Sequence, residues 1–322
     1  MIFYRFGRNR IMNRRNVLKG LSLSSLGLLL PWNESSANQP FENLKRKRNL
    51  RIAHITDIHL QPEKDAAKKF TKCLHHLQNQ KDKPDIIFSG GDTIMDALDK
   101  DRSRVEIQWN LWHSIIKDEC SLKIEYCIGN HDVWGYEKAK SEPDYGKKYA
   151  TEMMKLNNRF RSFDMNGWHF IVLDSTHIRD DGKWYTAKLD PEQREWLEKD
   201  LAATNLNTPV LVLSHIPIFA ACVFQFGDYV KNDRFEVPGS WMHTDCADLI
   251  ALFDNHPNVK SCISGHMHLL DTVIYNDVKY MCNGAVSGDW WNTGKFHETK
   301  AGYSLLDVYD DGSVEREYVQ YE

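Results

Sequence analysis

Histidine and acidic residues cluster at five separate points of the sequence, and each cluster follows a short apolar segment. In chain order the motifs are TDIH at 56–59, GGD at 90–92, GNHD at 129–132, SHIP at 214–217 and GHMH at 265–268. Alternate side chains of an extended strand point to the same face, so His266 and His268 can both reach one spot at a strand end. Imidazoles and carboxylates in this number indicate a metal site.

The number of donors predicts two metal ions rather than one. Two carboxylates, four imidazoles and one carboxamide supply oxygen and nitrogen donors without any thiolate. This set is too large for one tetrahedral ion, but it fits two ions about 3.5–4 Å apart that share a carboxylate. Donors of this kind suit Mn, Fe or Zn in a divalent or trivalent state. The candidate ligands are Asp57, His59, Asp92, Asn130, His215, His266 and His268, with Asp92 as the shared group.

The elements that must position these donors alternate between strand and helix. Apolar runs before each motif predict buried strands, and amphipathic segments between them predict helices. In α/β sheets, ligands bind beyond the carboxyl ends of the strands, so five motifs at five strand ends can meet in one pocket. Two hairpins are predicted near the end of the chain. The pattern therefore predicts an α/β fold, a two-sheet sandwich flanked by helices.

The five motifs in this order resemble the calcineurin-like metallophosphoesterases, whose motifs run DxH, GD, GNH(D/E), H and GHxH. The resemblance extends from Asp57 to His268 and implies a four-layer metallophosphoesterase fold over residues 49–322. It also implies how the ligands divide between the two ions. The first ion is expected to bind Asp57, His59, Asp92 and His268, and the second Asp92, Asn130, His215 and His266.

The same resemblance implies a mechanism and a class of substrate. A metal-bridged hydroxide would attack phosphorus, and His131 would protonate the leaving oxygen with the help of a nearby carboxylate, Asp132. The family often has a charged residue at the position of Met95, so no role is expected for Asp96. The expected substrate is a small phosphodiester or a nucleotide-like pyrophosphate. An exported phosphomonoesterase of the acid-phosphatase type and a non-catalytic metal-binding protein remain as alternatives.

Five aromatic residues near the motifs are candidates for binding the substrate. Their rings could line the mouth of the pocket and stack on a base or a sugar, although each could equally pack a loop onto the core. No group of arginines lies beside a motif, which favours a diester or a pyrophosphate over a monoester. The candidates are Trp134, Tyr136, Trp241, Trp290 and Trp291.

The first 37 residues are typical of a twin-arginine signal peptide. Arg14 and Arg15 precede an apolar run at 18–30 and a small-residue SSA at 35–37. The alternative, a membrane anchor, needs about 20 apolar residues. We therefore expect a signal removed near Ala37, a linker at 38–48, transport by the twin-arginine machinery to the periplasm or the cell exterior, and no stable membrane anchor.

The charge and the cysteines narrow the function further. Removing residues 1–37 takes away six basic residues and one acidic residue, so the formal charge falls from −4 to −9 (−4 − 5). This balance argues against a nucleic acid polymer as a partner. The seven cysteines show no CxxC spacing, and Cys127, Cys262 and Cys282 lie in apolar segments. They are interpreted as small buried residues, while the sequence leaves open whether an exported chain forms a disulfide.

Overall fold

The computed structural model describes residues 46–135, 137–179, 185–225 and 229–321. The predicted signal peptide, most of the predicted linker and Tyr136 lie outside the described residues. Within the described part of the chain, no helix combines the length and the apolar character needed to cross a membrane.

The described chain contains strands and helices in the order that the sequence pattern predicts. The strands are β1 (Arg48–Ile55), β2 (Ile86–Ser89), β3 (Ile124–Tyr126), β4 (Arg161–Met165), β5 (Trp168–Leu173), β6 (Thr176–Ile178), β7 (Tyr185–Ala187), β8 (Val210–Ser214), β9 (Val230–Lys231), β10 (Arg234–Phe235), β11 (Val259–Ser264), β12 (Leu270–Tyr275), β13 (Val278–Asn283), β14 (Lys295–Phe296), β15 (Thr299–Lys300), β16 (Gly302–Tyr309) and β17 (Val314–Gln320). The helices are α1 (Ala66–Gln78), α2 (Arg102–Glu119), α3 (Lys147–Met153), α4 (Pro191–Ala203) and α5 (Cys246–Asp254).

These strands form two main sheets. The first has the order β17-β16-β1-β2-β3, with β1, β2 and β3 parallel. The second has the order β12-β13-β11-β8-β5-β4, in which β13, β11, β8 and β5 are parallel. The predicted hairpins are confirmed as the antiparallel pairs β12–β13 and β16–β17.

Apolar side chains on both faces of each sheet produce four layers. On β1, Ile52 faces the second sheet, where it shares a buried cluster with Phe170 of β5, whereas Ala53 packs with helices α1 and α2. Alternate residues of a strand face opposite sides, so one strand can serve both layers. The outer face of the second sheet is covered by α4 and α5 through Leu197 and Phe253. The predicted α/β fold with two sheets flanked by helices is confirmed.

Two pairs of parallel strands bring four of the five motifs to one edge of the structure. TDIH follows β1 and GGD follows its neighbour β2, while SHIP follows β8 and GHMH follows its neighbour β11. A backbone hydrogen bond from Asp57 N to Gly91 O, 3.1 Å, joins the first pair of loops, and Gly265 N to His215 O, 3.0 Å, joins the second. The fold therefore places the ligand motifs next to each other.

The last residues of the predicted linker are part of the folded domain. The first strand begins at Arg48, the last residue of the predicted linker. Arg46 forms an ion pair with Glu315, and the backbone N–H of Lys47 donates to the carboxylate of Asp310 at 2.9 Å. The acidic side chains of the C-terminal hairpin thus hold the end of this basic segment against the folded domain.

A histidine on β5, next to the edge strand β4 of the second sheet, carries a testable pH dependence. His169 Nδ1 lies 2.7 Å from Asp164 Oδ1, and His169 Nε2 lies 2.8 Å from Asp200 Oδ2. Both ring nitrogens face carboxylates, so the doubly protonated cation is favoured, and the hydrogen bond to Asp200 raises the pKa of His169.

We expect His169→Gln to lower the free energy of unfolding more at pH 5.5 than at pH 8.5. A raised pKa in the folded state adds stability that is complete below the unfolded pKa and is lost as the pH rises through the folded pKa. The difference should be about 1 kcal/mol or less, because Asp164 is exposed. Urea denaturation at the two pH values measures it. Asp200→Asn should remove most of the pH-dependent part; an equal loss at both pH values in His169→Gln contradicts the assignment.

Candidate metal centre and active site

The loops that follow the strands hold the candidate ligands in an unusual backbone conformation. Five of the seven have a positive φ: Asp57 (52°), His59 (47°), Asp92 (51°), His266 (66°) and His268 (56°). Residues other than glycine rarely adopt this left-handed region, and such conformations concentrate at functional sites. The chain therefore bears local strain at the positions where the sequence predicts metal ligands.

Glycines in these motifs allow the loops to approach each other closely. A Cβ atom at Gly129 would lie 2.1 Å from Asp92 N, and one at Gly265 would lie 2.2 Å from Asp57 Oδ2. Both distances are far below van der Waals contact, and the first involves backbone that cannot move aside. Only glycine fits at these two positions, because ligand loops from different strands cross there.

One group of ligand-type atoms lies at the end of β1. His268 Nε2 is 3.3 Å from Asp57 Oδ1, and His59 Nε2 is 3.1 Å from His268 Nε2. These three side chains are buried and their ligand atoms all lie within 4.8 Å of one another. His268 Nδ1 donates to Gly288 O at 2.6 Å, which leaves the Nε2 lone pair directed at the other two groups. A backbone carbonyl that fixes the tautomer in this way is typical of metal-ligating histidines.

A second group adjoins the first through Asp92. Asp92 Oδ2 lies 3.6 Å from His59 Nε2 and 3.2 Å from His215 Nε2. His215 Nε2 is also 3.1 Å from Asn130 Oδ1, and its Nδ1 bonds the carbonyl of Gly90 at 2.8 Å. Burial alone would lower the pKa of His215, but Asp92 outweighs burial and raises it to about 9, so a metal ion that binds there displaces a proton.

The charges of the site suit metal binding. Burial alone would raise the pKa of Asp57, but nearby His268 outweighs burial and the pKa is lowered to about 2. Burial lowers the pKa of His266 to about 3 and lowers the pKa of His59 well below its ordinary value. Ionised carboxylates and neutral imidazoles are the states that bind cations. The two groups of donor atoms, one on each side of Asp92, are therefore of a kind that fits metal ions.

The role predicted for Asp132 is wrong. Its side chain is fully buried, and its carboxylate accepts backbone N–H groups from Thr93 at 2.9 Å, Ile94 at 3.3 Å and Gly129 at 2.9 Å. Burial raises the pKa of Asp132 to about 7, since these backbone bonds only partly offset desolvation and the charge of Asp92. Asp132 therefore holds the GNHD turn to the GGD loop and has no exposed oxygen for catalysis.

The carboxylate that faces His131 is Asp96, for which the family resemblance predicted no role. Asp96 Oδ1 lies 3.7 Å from His131 Nδ1. Burial would lower the pKa of His131, but Asp92 and Asp96 outweigh burial and raise it. The His131 side chain is 24% exposed and its ring stands edge-on to His59 at 4.8 Å between centroids. It is more exposed than the neighbouring ligands, as a group that contacts substrate must be. Asp96 was not predicted because it lies one residue after the position, Met95, at which the family often has a charged residue.

Two of the predicted substrate-binding tryptophans are wrong because they are buried. Trp134 is 1% exposed, and its indole N–H donates to Lys100 O at 3.0 Å. Trp291 is 4% exposed and its N–H donates to the carbonyls of Ile58 at 2.9 Å and His59 at 3.0 Å. Neither ring can stack on a substrate. Trp291 instead supports the backbone of the TDIH loop.

The other three aromatic candidates differ in position. Trp290 is half-buried beside the first ligand group, with its ring centroid 4.3 Å from that of His268 and 5.8 Å from that of His59. Trp241 is half-buried and packs edge-on against Tyr229 at 4.4 Å. Tyr136 lies outside the described residues. Of the five candidates, Trp290 is the ring that the described structure places against the ligands.

A cavity that the motifs do not indicate opens near the second ligand group. It has a volume of about 540 Å³, and its wall includes His177, Arg179, Tyr185 and Lys188. The ring of Tyr185 lies 6.3 Å from that of His266. These residues belong to β6, β7 and the residues that follow them, so no spacing in the sequence connects them with the GHMH motif. One wall of the cavity, at Tyr185, therefore lies next to the second ligand group.

Comparison with known proteins agrees with this geometry. A model of the family described as calcineurin-like phosphoesterase matches residues 50–270, more than half of the chain. The chain belongs to this family. As a calcineurin-like phosphoesterase it is a hydrolase that acts on phosphoric ester bonds, and its metal-ligand motifs are those of the resemblance found in the sequence.

The chain is also similar to two known proteins. A 3',5'-cyclic-nucleotide phosphodiesterase from Nostoc sp. is 23% identical over 289 residues, which cover 84% of this chain and 92% of the relative. The crystal structure of a dimetal phosphatase from Danio rerio superposes with a TM-score of 0.58 at 11% identity. That match covers 86% of this chain and all of the other, and it shows that the fold is shared.

We expect Asp96→Asn to slow this phosphoesterase on esters with alkyl leaving groups by about 10-fold or more, and much less on p-nitrophenyl esters. Asparagine keeps the acceptor for Leu98 N, which Asp96 Oδ1 supplies at 2.9 Å, but removes the charge that raises the pKa of His131. The alkaline limb of the pH–rate profile should move to lower pH. His131→Ala should lose about 10²–10⁴-fold on the alkyl ester with its metal content unchanged.

Asp132→Asn is the matched control. Its amide nitrogen must face a backbone N–H that the carboxylate now satisfies, so the melting temperature should fall, whereas Asp96→Asn should leave it unchanged. Equal slowing of both leaving groups in Asp96→Asn would defeat the orienting role. Metal loss in His131→Ala would instead identify this histidine as a ligand.

Proposed function

We propose that the protein is a dinuclear phosphodiesterase that hydrolyses a small phosphodiester or a nucleotide-like pyrophosphate with two Mn, Fe or Zn ions. The observation that carries this proposal is the position of one oxygen, Asp92 Oδ2, between His59 Nε2 at 3.6 Å and His215 Nε2 at 3.2 Å. A carboxylate with an imidazole on either side supports two cations that share it, since like-charged ions need a common anionic ligand.

The division of ligands follows from the two faces of Asp92. On one side Asp57, His59 and His268 would hold the first ion, and on the other Asn130, His215 and His266 would hold the second. The other oxygen of Asp92, Oδ1, accepts the backbone N–H of His131 at 2.8 Å. Oδ2 is therefore the oxygen that faces both groups of ligands. When bound, two such cations supply an activated water as nucleophile and neutralise negative charge on the phosphate oxygens.

His131 is suited to act as the general acid. Its Nδ1 faces Asp96, so its Nε2 is the nitrogen that can donate to a leaving oxygen. Asp92 and Asp96 outweigh burial and raise the pKa of His131, which favours the charged ring that a general acid needs before the bond to phosphorus breaks. A non-catalytic metal-binding protein has no need of a partly exposed imidazole at this position.

The surroundings of the metal centre favour a diester over a monoester. A diester carries two alcohol groups, and both need room. Trp290 lies beside the first ligand group with a face for a base or sugar, and the cavity at Tyr185 lies near the second. The similarity to a cyclic-nucleotide phosphodiesterase supports the same class of substrate. The described lining of the cavity contributes one arginine, Arg179, rather than a pair that would clamp a terminal phosphate.

We expect two metal ions per chain and a loss of both in Asp92→Asn. An amide cannot supply the shared negative charge, so both ions should bind more weakly and activity should fall with occupancy. Elemental analysis of protein loaded separately with Mn, Zn and Fe gives the ratio. Thr93→Ser, a change next to the bridge, is the control that should keep two ions. One ion per chain in fully active protein would disprove the dinuclear site.

We expect hydrolysis of bis-p-nitrophenyl phosphate to exceed that of p-nitrophenyl phosphate in kcat/KM, by about 10-fold or more. Removal of the metal with a chelator should abolish both activities, and the added metal should restore them. Trp290→Ala should raise KM for nucleotide diesters more than for bis-p-nitrophenyl phosphate, since the first carry a base to stack. A preference for the monoester would favour an exported phosphatase instead.

A further inference from the structure

A second cluster of ligand-type side chains lies outside the metal centre. Cys222, Asp271 and Cys282 have their ligand atoms within 4.8 Å of one another. Cys222 begins the short 3-10 helix Cys222–Gln225, which follows the SHIP loop, and Cys282 belongs to β13. The cysteines are 4% and 1% exposed, and the chain brings them together across 60 positions (282 − 222).

One carboxylate fixes the backbone of both cysteines. Asp271 Oδ2 accepts the N–H of Ala221 at 2.7 Å and that of Cys222 at 2.8 Å, and Asp271 Oδ1 accepts the N–H of Cys282 at 3.2 Å. The two thiols lie within 4.8 Å of each other, and Ser264 Oγ lies 3.4 Å from Cys282 Sγ. The backbone is therefore held in place around two neighbouring thiols.

The cluster fits a disulfide better than a metal ion. A structural zinc site usually has four ligands, and here two thiols are joined by a carboxylate whose oxygens already accept three backbone N–H groups. Formation of a disulfide requires neither a further ligand nor the loss of these backbone bonds.

We propose that Cys222 and Cys282 form a disulfide when the folded protein meets a small disulfide oxidant such as oxidised glutathione. One cysteine thiolate attacks the oxidant and releases one glutathione thiol. The second cysteine then attacks the mixed disulfide, forms the Cys222–Cys282 bond and releases the other thiol. Two protein thiols are oxidised, one glutathione disulfide is reduced to two thiols, and the two protons end on those thiols.

The bond would tie the loop after His215 to the sheet beside the metal centre. The two cysteines share a buried cluster with Met267, which lies between the ligands His266 and His268, and with Leu269. A covalent link in this cluster holds the segment after the SHIP motif against the GHMH turn. It also restricts the unfolded chain, which stabilises the folded protein.

The test begins with the metal-loaded full chain, without any substitution. After incubation with reduced or oxidised glutathione, the protein is denatured, alkylated and weighed by mass spectrometry. We expect seven alkylated thiols in the reduced protein, and five (7 − 2) after oxidation. Peptide mapping should show the Cys222–Cys282 link. The melting temperature of the oxidised form should be about 5–10 °C higher.

Matched cysteine variants locate the bond. Cys222→Ser and Cys282→Ala should each form no intramolecular link and lose the rise in melting temperature, and the variant that keeps the attacking cysteine should stop at one mixed disulfide with glutathione. Cys262→Ser, a buried cysteine on β11 outside the cluster, should still lose two thiols. Seven free thiols after oxidation, or a link between other cysteines, would overturn the proposal. So would a metal ion in excess of the active-site metal that disappears in Cys222→Ser, since that result makes the cluster a metal site.

Discussion

The active site depends on the carboxylate of Asp92, which is buried between His59 and His215 and needs a positive charge beside it. One oxygen of the buried Asp92 accepts the backbone N–H of His131, and the other faces His59 and His215. A buried ionised carboxylate is costly unless it is paired. The raised pKa of His215 shows the protein supplying that pairing with a proton, in the place where the proposed metal ion would supply it with a stronger charge.

The rest of the architecture serves to hold this carboxylate and its neighbours at fixed distances. The two inner parallel pairs, β1 with β2 and β8 with β11, bring four motifs to the same edge, and His266 N donates to both oxygens of Asp57 at 3.0 and 2.9 Å across the two sheets. The strained backbone of the ligand loops is tolerated because the buried strands and the closely packed glycines hold the loops in this conformation.

Two carboxylates near His131 illustrate how similar residues acquire different tasks. Asp132 is adjacent in sequence but is directed into the protein, where it satisfies backbone N–H groups that would otherwise be buried without partners. Asp96 is distant from His131 in the sequence but faces its ring, so its negative charge can stabilise the protonated form of this proposed acid. The same contrast separates Trp291, which supports a ligand loop, from Trp290, its neighbour, which faces the ligands.

The sequence by itself determined the ligand chemistry, the order of the strands and helices, and the two-sheet fold. These follow from residue type, local period and spacing, which do not depend on distant parts of the chain. It could not determine that Asp132 and Trp134 are buried, that Asp96 faces His131, or that Cys222 and Cys282 lie in one cluster. Which face of a side chain is covered, and by what, is decided by segments that are remote in sequence and meet only in the tertiary structure. Burial and contact are therefore properties of the packed layers, whereas the capacity to bind a metal ion is already present in the residues themselves.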